Sequence, residues 1–214
     1  TTEEQGPVTG PVPLTPIACW WLEQKVTSPH HYNQAYFLEV REALDAEATA
    51  AALGHLIAHH DALRVRLHVS GEVVEQRFAP VGEAAPFQRI ALQGVPEEAQ
   101  TLAMEQTAAD VQASLDLAQG PALRVVLFDL GKERSNRLLI VIHHLACDGV
   151  SWRILFEDLW TAYEQRRRGE AMVLPAKTTS FKRWAEKLAV YADSSILSDE
   201  AAYWVTPGKE GVLR

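Results

Sequence analysis

Apolar positions recur along the chain with two different periods, one typical of strands and one typical of helices. Runs in which apolar residues are continuous or alternate with polar ones predict strands, whereas apolar residues three and four positions apart predict helices. The predicted strands span residues 32–40, 65–69, 73–78, 87–92, 122–130 and 137–142. The predicted helices begin near residues 15, 45, 96, 151, 180 and 198.

Turn and cap residues separate these segments. Ser70-Gly71 lies between two predicted strands and indicates a hairpin, and the polar loop 131–136 indicates a longer one. Asp45, Ser151 and Ser198 stand where N-caps are expected. The irregular order of helices and strands, with non-local pairings, favours an α/β fold in which helices pack on an open mixed sheet. No glycine-rich phosphate loop occurs, so neither a P-loop nor a dinucleotide-binding fingerprint is supported.

The composition is that of a folded, acidic domain. The chain has 214 residues, 47% of them hydrophobic, and a formal net charge of −8. Phosphate binding needs a cationic footprint, so we expect no nucleic-acid partner. No apolar stretch approaches membrane-spanning length, so we expect no membrane partner. Cys19 and Cys147 are too few for a disulfide framework, which favours a reducing, cytoplasmic location. Residues 1–13, rich in Gly, Pro and Thr, are expected to be a linker before one domain over residues 14–214.

The candidate chemistry lies where the apolar run 138–142 ends in His143-His144, turns at Asp148-Gly149 and enters a helix. Successive strand residues point to opposite faces, so only one of the two histidines can line a given cavity. A neutral imidazole can take a proton near neutral pH without a large change in its pKa. Asp148 could orient an imidazole, or it could pair with an arginine and hold the turn shut.

Other interpretations of the same residues compete. A zinc site needs three or four ligands, and neither Cys-x-x-Cys nor His-Glu-x-x-His accompanies the histidine pair. His55 and His59 have helical spacing but are expected on a solvated face, so no metal is predicted. Cys147 could be a nucleophile, although a small packed residue is the expected role. Two hydrogen-bonded core histidines remain the structural alternative.

The pattern His-His-x-x-x-Asp-Gly resembles the active-site motif of the chloramphenicol-acetyltransferase-like superfamily. That group includes acyltransferases of 2-oxoacid dehydrogenases and condensation-type domains of nonribosomal peptide synthetases. In the simple acyltransferases the motif lies near the chain end, whereas 65 residues follow Gly149 here. Residues 13–17 with Trp20-Trp21, residues 59–64 and residues 179–185 also resemble motifs of the condensation-type family, in the same order.

Within that family, the sequence is more similar to epimerization domains than to condensing domains. Residues 148–155 read Asp-Gly-Val-Ser-Trp-Arg-Ile-Leu, where condensing domains commonly have Asp-Gly-Trp-Ser. Residues 178–185 and the pair Asn33-Gln34 favour the same subtype. There are departures, since Ala18 replaces a common Gln and His59 a common Arg. The resemblance implies one of the family's two subdomains, the N-terminal one, without the C-terminal subdomain and the Glu that it supplies.

The resemblance implies an enzyme that inverts Cα of an aminoacyl or peptidyl thioester, delivered on the 4′-phosphopantetheine arm of a peptidyl carrier protein. His144 would be the catalytic residue, and the structural roles would fall to His143, Asp148, Gly149 and Arg64. Asp148 would pair with an arginine such as Arg64 or Arg153. No metal or directly bound cofactor is implied. The alternatives are a condensation domain that forms peptide bonds and a non-catalytic carrier-binding module.

Overall fold

The computed structural model describes residues 3–205 apart from residues 72, 83 and 133, and the end of the expected domain at 206–214 lies outside them. Two 3-10 turns, Pro29–His31 and Asp61–Arg64, accompany the regular elements. The strands are β1 (Gly10–Pro11), β2 (Asn33–Val40), β3 (Val65–Ser70), β4 (Val73–Phe78), β5 (Phe87–Ala91), β6 (Leu123–Asp129) and β7 (Asn136–His143). The helices are α1 (Pro16–Glu23), α2 (Ala46–His59), α3 (Glu97–Ala113), α4 (Ser151–Arg167), α5 (Phe181–Ala192) and α6 (Ser195–Val205).

The described strands form two sheets. One has the order β2-β7-β6-β5, in which β5 runs parallel to β6 and the other neighbours are antiparallel. The other has the order β1-β4-β3 and is antiparallel throughout. The predicted α/β class and the mixed sheet are confirmed, while the single sheet that we expected is replaced by two. Strand pairing is decided by long-range packing, which a local pattern does not contain.

The central strand β7 is apolar from residue 138 to residue 142 because both of its faces are covered. Leu138, Ile140 and Ile142 lie in a core cluster that includes residues of α2 and α4. Leu139 and Val141 point the other way and join a second cluster, which includes residues of α3. Alternate side chains of β7 therefore pack against helices on opposite faces of the sheet. The last residue of the strand, His143, is buried as a result.

The segment expected to be a linker is packed from residue 8 onward. Val8 and Val12 are buried in the larger core cluster, and β1 between them pairs with β4. The backbone of Val8 is held from both sides, since its N–H donates to Asp61 Oδ1 at 2.9 Å and its carbonyl accepts from Arg64 Nη2 at 2.8 Å. The two valines find partners in the core that the Gly- and Pro-rich composition around them does not reveal.

Local signals explain most helix ends. Asp45 caps α2 as predicted, because its carboxylate accepts the Ala48 N–H at 2.7 Å. Ser180 caps α5 through Arg183 N. The prediction that Ser198 caps the last helix is wrong, since Ser198 lies inside α6. No helix within the described part of the chain combines the length and the hydropathy that crossing a membrane requires.

Candidate active site

His143, the last residue of β7, is a buried structural histidine. Its side chain has no exposed surface, and its Nδ1 accepts the Leu145 N–H at 3.1 Å. The ring proton is therefore on Nε2, which lies 2.9 Å from the Pro29 carbonyl oxygen and donates to it. Burial lowers the pKa of His143 to about 4, and the neighbouring imidazoles of His30 and His144 act in the same direction. With both ring nitrogens occupied, His143 has no free lone pair for a substrate.

His144 lies one residue beyond the strand and is only partly buried. Its Nδ1 is 2.9 Å from the carbonyl oxygen of Cys147. Because a carbonyl oxygen can only accept, Nδ1 carries the proton and Nε2 is the basic nitrogen of the neutral ring. Tyr32 stacks on the imidazole with ring centroids 5.0 Å apart and an interplanar angle of 17°. The turn thus holds the imidazole in one position, and in the tautomer that the Cys147 carbonyl requires, Nε2 has the lone pair that a general base needs.

Gln34 and Trp152 complete the surroundings of His144, and residue chemistry alone did not identify either of them as a site residue. Gln34 on β2 places its Nε2 at 3.2 Å from His144 Nε2. Its Oε1 accepts the indole N–H of Trp152, the second residue of α4, at 2.8 Å. The only available signal was that both residues fall within segments that resemble epimerization domains. Neither spacing nor periodicity could join β2 to the histidine turn across 110 positions.

Cys147 is packed in the larger core cluster, as expected for a small apolar residue. Burial raises the pKa of its thiol to about 12, with a further contribution from the nearby negative charge of Asp148. A thiol with so high a pKa carries almost no thiolate near neutral pH. The structure therefore gives no support to Cys147 as a nucleophile.

Asp148 does not pair with an arginine, and that expectation was wrong. Its carboxylate is exposed and accepts from Val150 N at 3.1 Å, Ser151 N at 2.8 Å and Ser151 Oγ at 2.7 Å. Asp148 therefore satisfies backbone N–H groups at the start of α4 as an N-cap side chain does, whereas the Ser151 side chain, which was expected to cap the helix, instead donates to Asp148. The hydrogen bonds from Ser151 lower the pKa of the Asp148 carboxyl. Since no arginine is among the hydrogen-bond partners that the structure describes for Asp148, the turn is held by local backbone donors.

Arg64 instead forms a buried network near the N-terminal segment. Only 3% of it is exposed, and its Nη2 lies 2.8 Å from Asp61 Oδ1. It also donates to the backbone carbonyls of Val8, Ile57 and Ala79. Lys177 reaches the same Asp61 carboxylate at 3.1 Å. Among the described residues, the contacts of Arg64 thus lie in a buried polar network with Asp61 and the N-terminal segment, and they do not include the residues of the histidine turn.

Gly149 is exposed in the turn between Asp148 and α4. Its φ is outside the left-handed region, and a Cβ built there would meet nothing within 4 Å. Within this chain, neither backbone strain nor close packing therefore demands glycine at position 149.

A second group of titratable residues lies between α2 and α4. His59, His60 and Asp158 each place one potential ligand atom within 4.8 Å of the others. His60 Nε2 and Asp158 Oδ2 already share a hydrogen bond of 2.7 Å that joins the two helices. The pair that we weighed from helical spacing, His55 and His59, is not the one that the fold assembles, because the carboxylate comes from a different helix.

A family model and several curated proteins match this chain over most of its length. A family model described as Condensation domain matches residues 8–210. One subunit of the linear gramicidin synthase of Brevibacillus parabrevis is 50% identical over 207 residues, which are 97% of this chain and 4% of that protein. Surfactin synthase subunit 2 of Bacillus subtilis is 42% identical over 202 residues, which are 94% of this chain and 6% of that protein. The chain therefore spans a small part of the curated relatives it matches.

Two solved structures are similar to the whole described fold. The epimerization domain from the third module of tyrocidine synthetase B superposes with a TM-score of 0.87 at 38% identity, covering 98% of this chain and 48% of that chain. The starter condensation domain of rhizomide synthetase has a TM-score of 0.75 at 22% identity, covering 92% of this chain and 47% of that chain, and it supports the fold alone. These likenesses confirm the expected chloramphenicol-acetyltransferase-like fold class. Together with the match over residues 8–210, they establish that the chain belongs to the condensation domain family.

Proposed function

We propose that this chain is the N-terminal half of an epimerization domain of a nonribosomal peptide synthetase. Such a domain inverts Cα of an aminoacyl or peptidyl residue, from L to D, while the residue is held as a carrier-bound thioester. The observation that carries the proposal is the difference in burial and hydrogen bonding between His143 and His144. His143 is fully buried and its two ring nitrogens contact backbone groups, whereas His144 is partly buried and its Nε2 contacts the side-chain amide of Gln34, which a bound substrate would displace.

The subtype is supported by the 38% identity to an epimerization domain over 98% of this chain. It is supported also by Gln34 and Trp152, which lie in segments that resemble that subtype and are in contact with each other at the histidine. The alternatives are a condensation domain, which would use the same histidine on an acceptor amine, and a non-catalytic carrier-binding module.

The proposed step is a proton transfer in two halves. The thioester carbonyl acidifies the Cα–H bond by delocalising the resulting charge. His144 Nε2 accepts the proton, the C–H electron pair passes into the enolate, and the ring becomes an imidazolium held through Nδ1 by the Cys147 carbonyl. A proton then returns to Cα on the opposite face and the thioester is restored. The resemblance assigns the second acid–base group to a Glu of the other half of the domain.

The substrate is proposed to arrive on the 4′-phosphopantetheine arm of a peptidyl carrier protein. The partners are accordingly that carrier and the second half of the domain. The chain spans 48% of the related epimerization domain, so a substrate channel would need walls from both halves. No metal and no redox cofactor takes part in the proposed step.

The test is the exchange of the Cα hydrogen with solvent in the whole domain that contains this chain. In deuterated water, an L-aminoacyl carrier thioester should gain deuterium at Cα and convert to a mixture of L and D forms. His144→Ala should slow this exchange about 10²–10⁴-fold, the usual cost of losing a positioned proton-transfer group. The chain alone, with one wall of the channel, should give no exchange above the uncatalysed rate.

Three results would contradict the proposal. Formation of an amide between two loaded carriers, without Cα exchange, would identify a condensation domain. Carrier binding without either reaction would identify a binding module. Undiminished exchange in a folded His144→Ala variant would remove His144 from the mechanism.

A further inference from the structure

Three hydrogen bonds in series run from Trp152 through Gln34 to the His144 imidazole and the Cys147 carbonyl. The indole N–H of Trp152 donates to Gln34 Oε1 at 2.8 Å. Gln34 Nε2 lies 3.2 Å from His144 Nε2, and His144 Nδ1 lies 2.9 Å from the Cys147 carbonyl oxygen. The Cys147 thiol also faces Gln34 Oε1, at 3.8 Å. The series thus begins at the Trp152 indole N–H, which can only donate, and ends at the Cys147 carbonyl oxygen, which can only accept.

The Trp152 indole N–H determines the orientation of the Gln34 side-chain amide. An indole nitrogen has a hydrogen and no lone pair available, so its partner must be the oxygen of Gln34. The Gln34 amide nitrogen then faces His144 Nε2, to which it donates. The indole itself cannot turn away, because Trp152 is 3% exposed and packs against Tyr36 and Phe156 with centroids 4.7 and 5.4 Å apart.

The Cys147 carbonyl and the Gln34 amide require the same tautomer of His144. The Cys147 carbonyl needs a proton on His144 Nδ1, and the Gln34 N–H needs a lone pair on His144 Nε2. If the amide were reversed, two N–H groups would face each other at Trp152, and that buried donor would lose its partner. A buried donor without an acceptor is strongly unfavourable, because it has lost its hydrogen bond to water without replacing it. The Trp152 donor and the Cys147 acceptor are therefore both satisfied by one orientation of the Gln34 amide and one tautomer of His144.

We propose that Gln34, oriented by Trp152, is a positioning residue that keeps His144 neutral, with its basic Nε2 in place, until substrate displaces the amide. Protonation of Nε2 would bring an N–H⁺ group against the Gln34 N–H, so the amide opposes it. A base must be unprotonated before it can act, and Gln34 favours that state. Displacement of the amide by substrate rests on the proposed function, whereas the hydrogen-bonding role of Gln34 does not.

The other titratable groups around the ring are accounted for. His143 is neutral and buried beneath the turn, and the Cys147 thiol is protonated near neutral pH. Tyr32 stacks on the ring face. Asp148 is close enough for its charge to interact with His144, but it is exposed and its carboxylate is committed to the start of α4. Of these groups, only Gln34 contacts Nε2.

The test is the ring tautomer and the pKa of His144, measured by 15N NMR on this chain with labelled histidine. His144 is assigned by the resonance that disappears in His144→Gln. Above its pKa, Nδ1 should show the shift of a protonated nitrogen and Nε2 that of an unprotonated one. Trp152→Phe keeps an aromatic ring but frees the amide to turn its oxygen to Nε2, so the His144 pKa should rise. Gln34→Glu places a carboxylate there, and the pKa should rise further, by about 1–3.

Trp160→Phe is the matched control. Trp160 lies on the same helix but is 54% exposed, so its substitution should leave the His144 shifts and pKa unchanged. Gln34→Leu is a second route to the same answer if Trp152→Phe unfolds the chain, because it removes the amide donor and keeps the Trp152 ring in place, although the indole N–H loses its acceptor. It too should raise the His144 pKa. The proposal is overturned if the wild-type proton lies on Nε2. It is overturned equally if the folded Trp152→Phe and Gln34→Leu variants titrate like the wild type.

These measurements need no substrate, so they stand or fall separately from the epimerization assay. In the whole domain, Gln34→Glu should move the acidic limb of the pH–rate profile upward by the same amount as the His144 pKa measured by NMR. A rate loss that is equal at every pH would instead indicate a structural defect and overturn the positioning role. An inactive wild-type domain with the expected NMR result would reject the proposed function and leave the hydrogen-bonding role of Gln34 intact.

Discussion

Burial of His143 should make the stability of this chain fall in mild acid. The folded ring is fully buried, and protonation of Nδ1 would break its bond with the Leu145 N–H. Its pKa is lowered to about 4, from 6.5 for an unperturbed histidine. Between these two values the unfolded chain binds a proton that the folded chain does not, so stability is complete above pH 6.5 and declines as the pH falls.

The size of the effect follows from the two pKa values. Linkage between a pKa of 6.5 and one of about 4 predicts a loss of about 2 kcal/mol when the pH falls from about 7.5 to about 5. The full loss, reached below the folded pKa, is about 3 kcal/mol, since one pKa unit corresponds to about 1.4 kcal/mol. For a domain of this size, about 1 kcal/mol shifts Tm by about 2–4 °C.

Urea unfolding at a series of pH values from about 7.5 to about 5 measures the effect. His143→Gln removes the titrating group, so its curve of stability against pH should be flatter than that of the wild type by about 2 kcal/mol over this range. The comparison is of slopes and is independent of any constant loss that the substitution causes. His68→Gln, at an exposed position on β3, should leave the wild-type slope unchanged.

Parallel curves for wild type and His143→Gln would refute the reasoning. That outcome would mean that the folded protein accommodates a charged His143, contrary to the two hydrogen bonds that fix its neutral form. A curve for His68→Gln that is flatter than that of the wild type would show that exposed histidines carry the acid sensitivity instead.

Three further predictions concern neighbouring groups. Asp148→Ala should cost about 1 kcal/mol in urea unfolding, as expected for a lost N-cap, and Asp148→Asn much less; a loss of about 3–5 kcal/mol for Asp148→Ala would indicate a buried ion pair. Arg64→Met should lower the free energy of unfolding by about 3 kcal/mol, because it leaves Asp61 with fewer partners in a buried network. In the double variant this loss should add to that of Asp148→Ala within about 0.5 kcal/mol. A larger departure from additivity would show that the two residues interact. Iodoacetamide at mildly alkaline pH should alkylate the exposed Cys19 much faster than the buried Cys147, and equal rates measured by mass spectrometry would contradict the burial of Cys147.

The residues that interact over short distances in sequence were predictable. The apolar runs located β2 and β7 to within one residue, because side-chain alternation is a property of the strand itself. Asp45 indicated the start of α2, because a cap binds a backbone N–H three residues away. The histidine motif and its order with the flanking segments predicted the family.

The contacts that complete the site were decided by the tertiary structure. Gln34 reaches His144 across 110 positions because β2 pairs with β7, and Trp152 reaches Gln34 because α4 packs on that sheet. Arg64 pairs with Asp61 rather than with Asp148, because the partner of a buried charge is whichever group the fold brings within reach. Hydrophobic periodicity states which face of an element is buried, but it contains no information about which element covers that face. The sequence by itself therefore determined the elements, the family and the candidate base, and only the packing determined which side chains surround that residue.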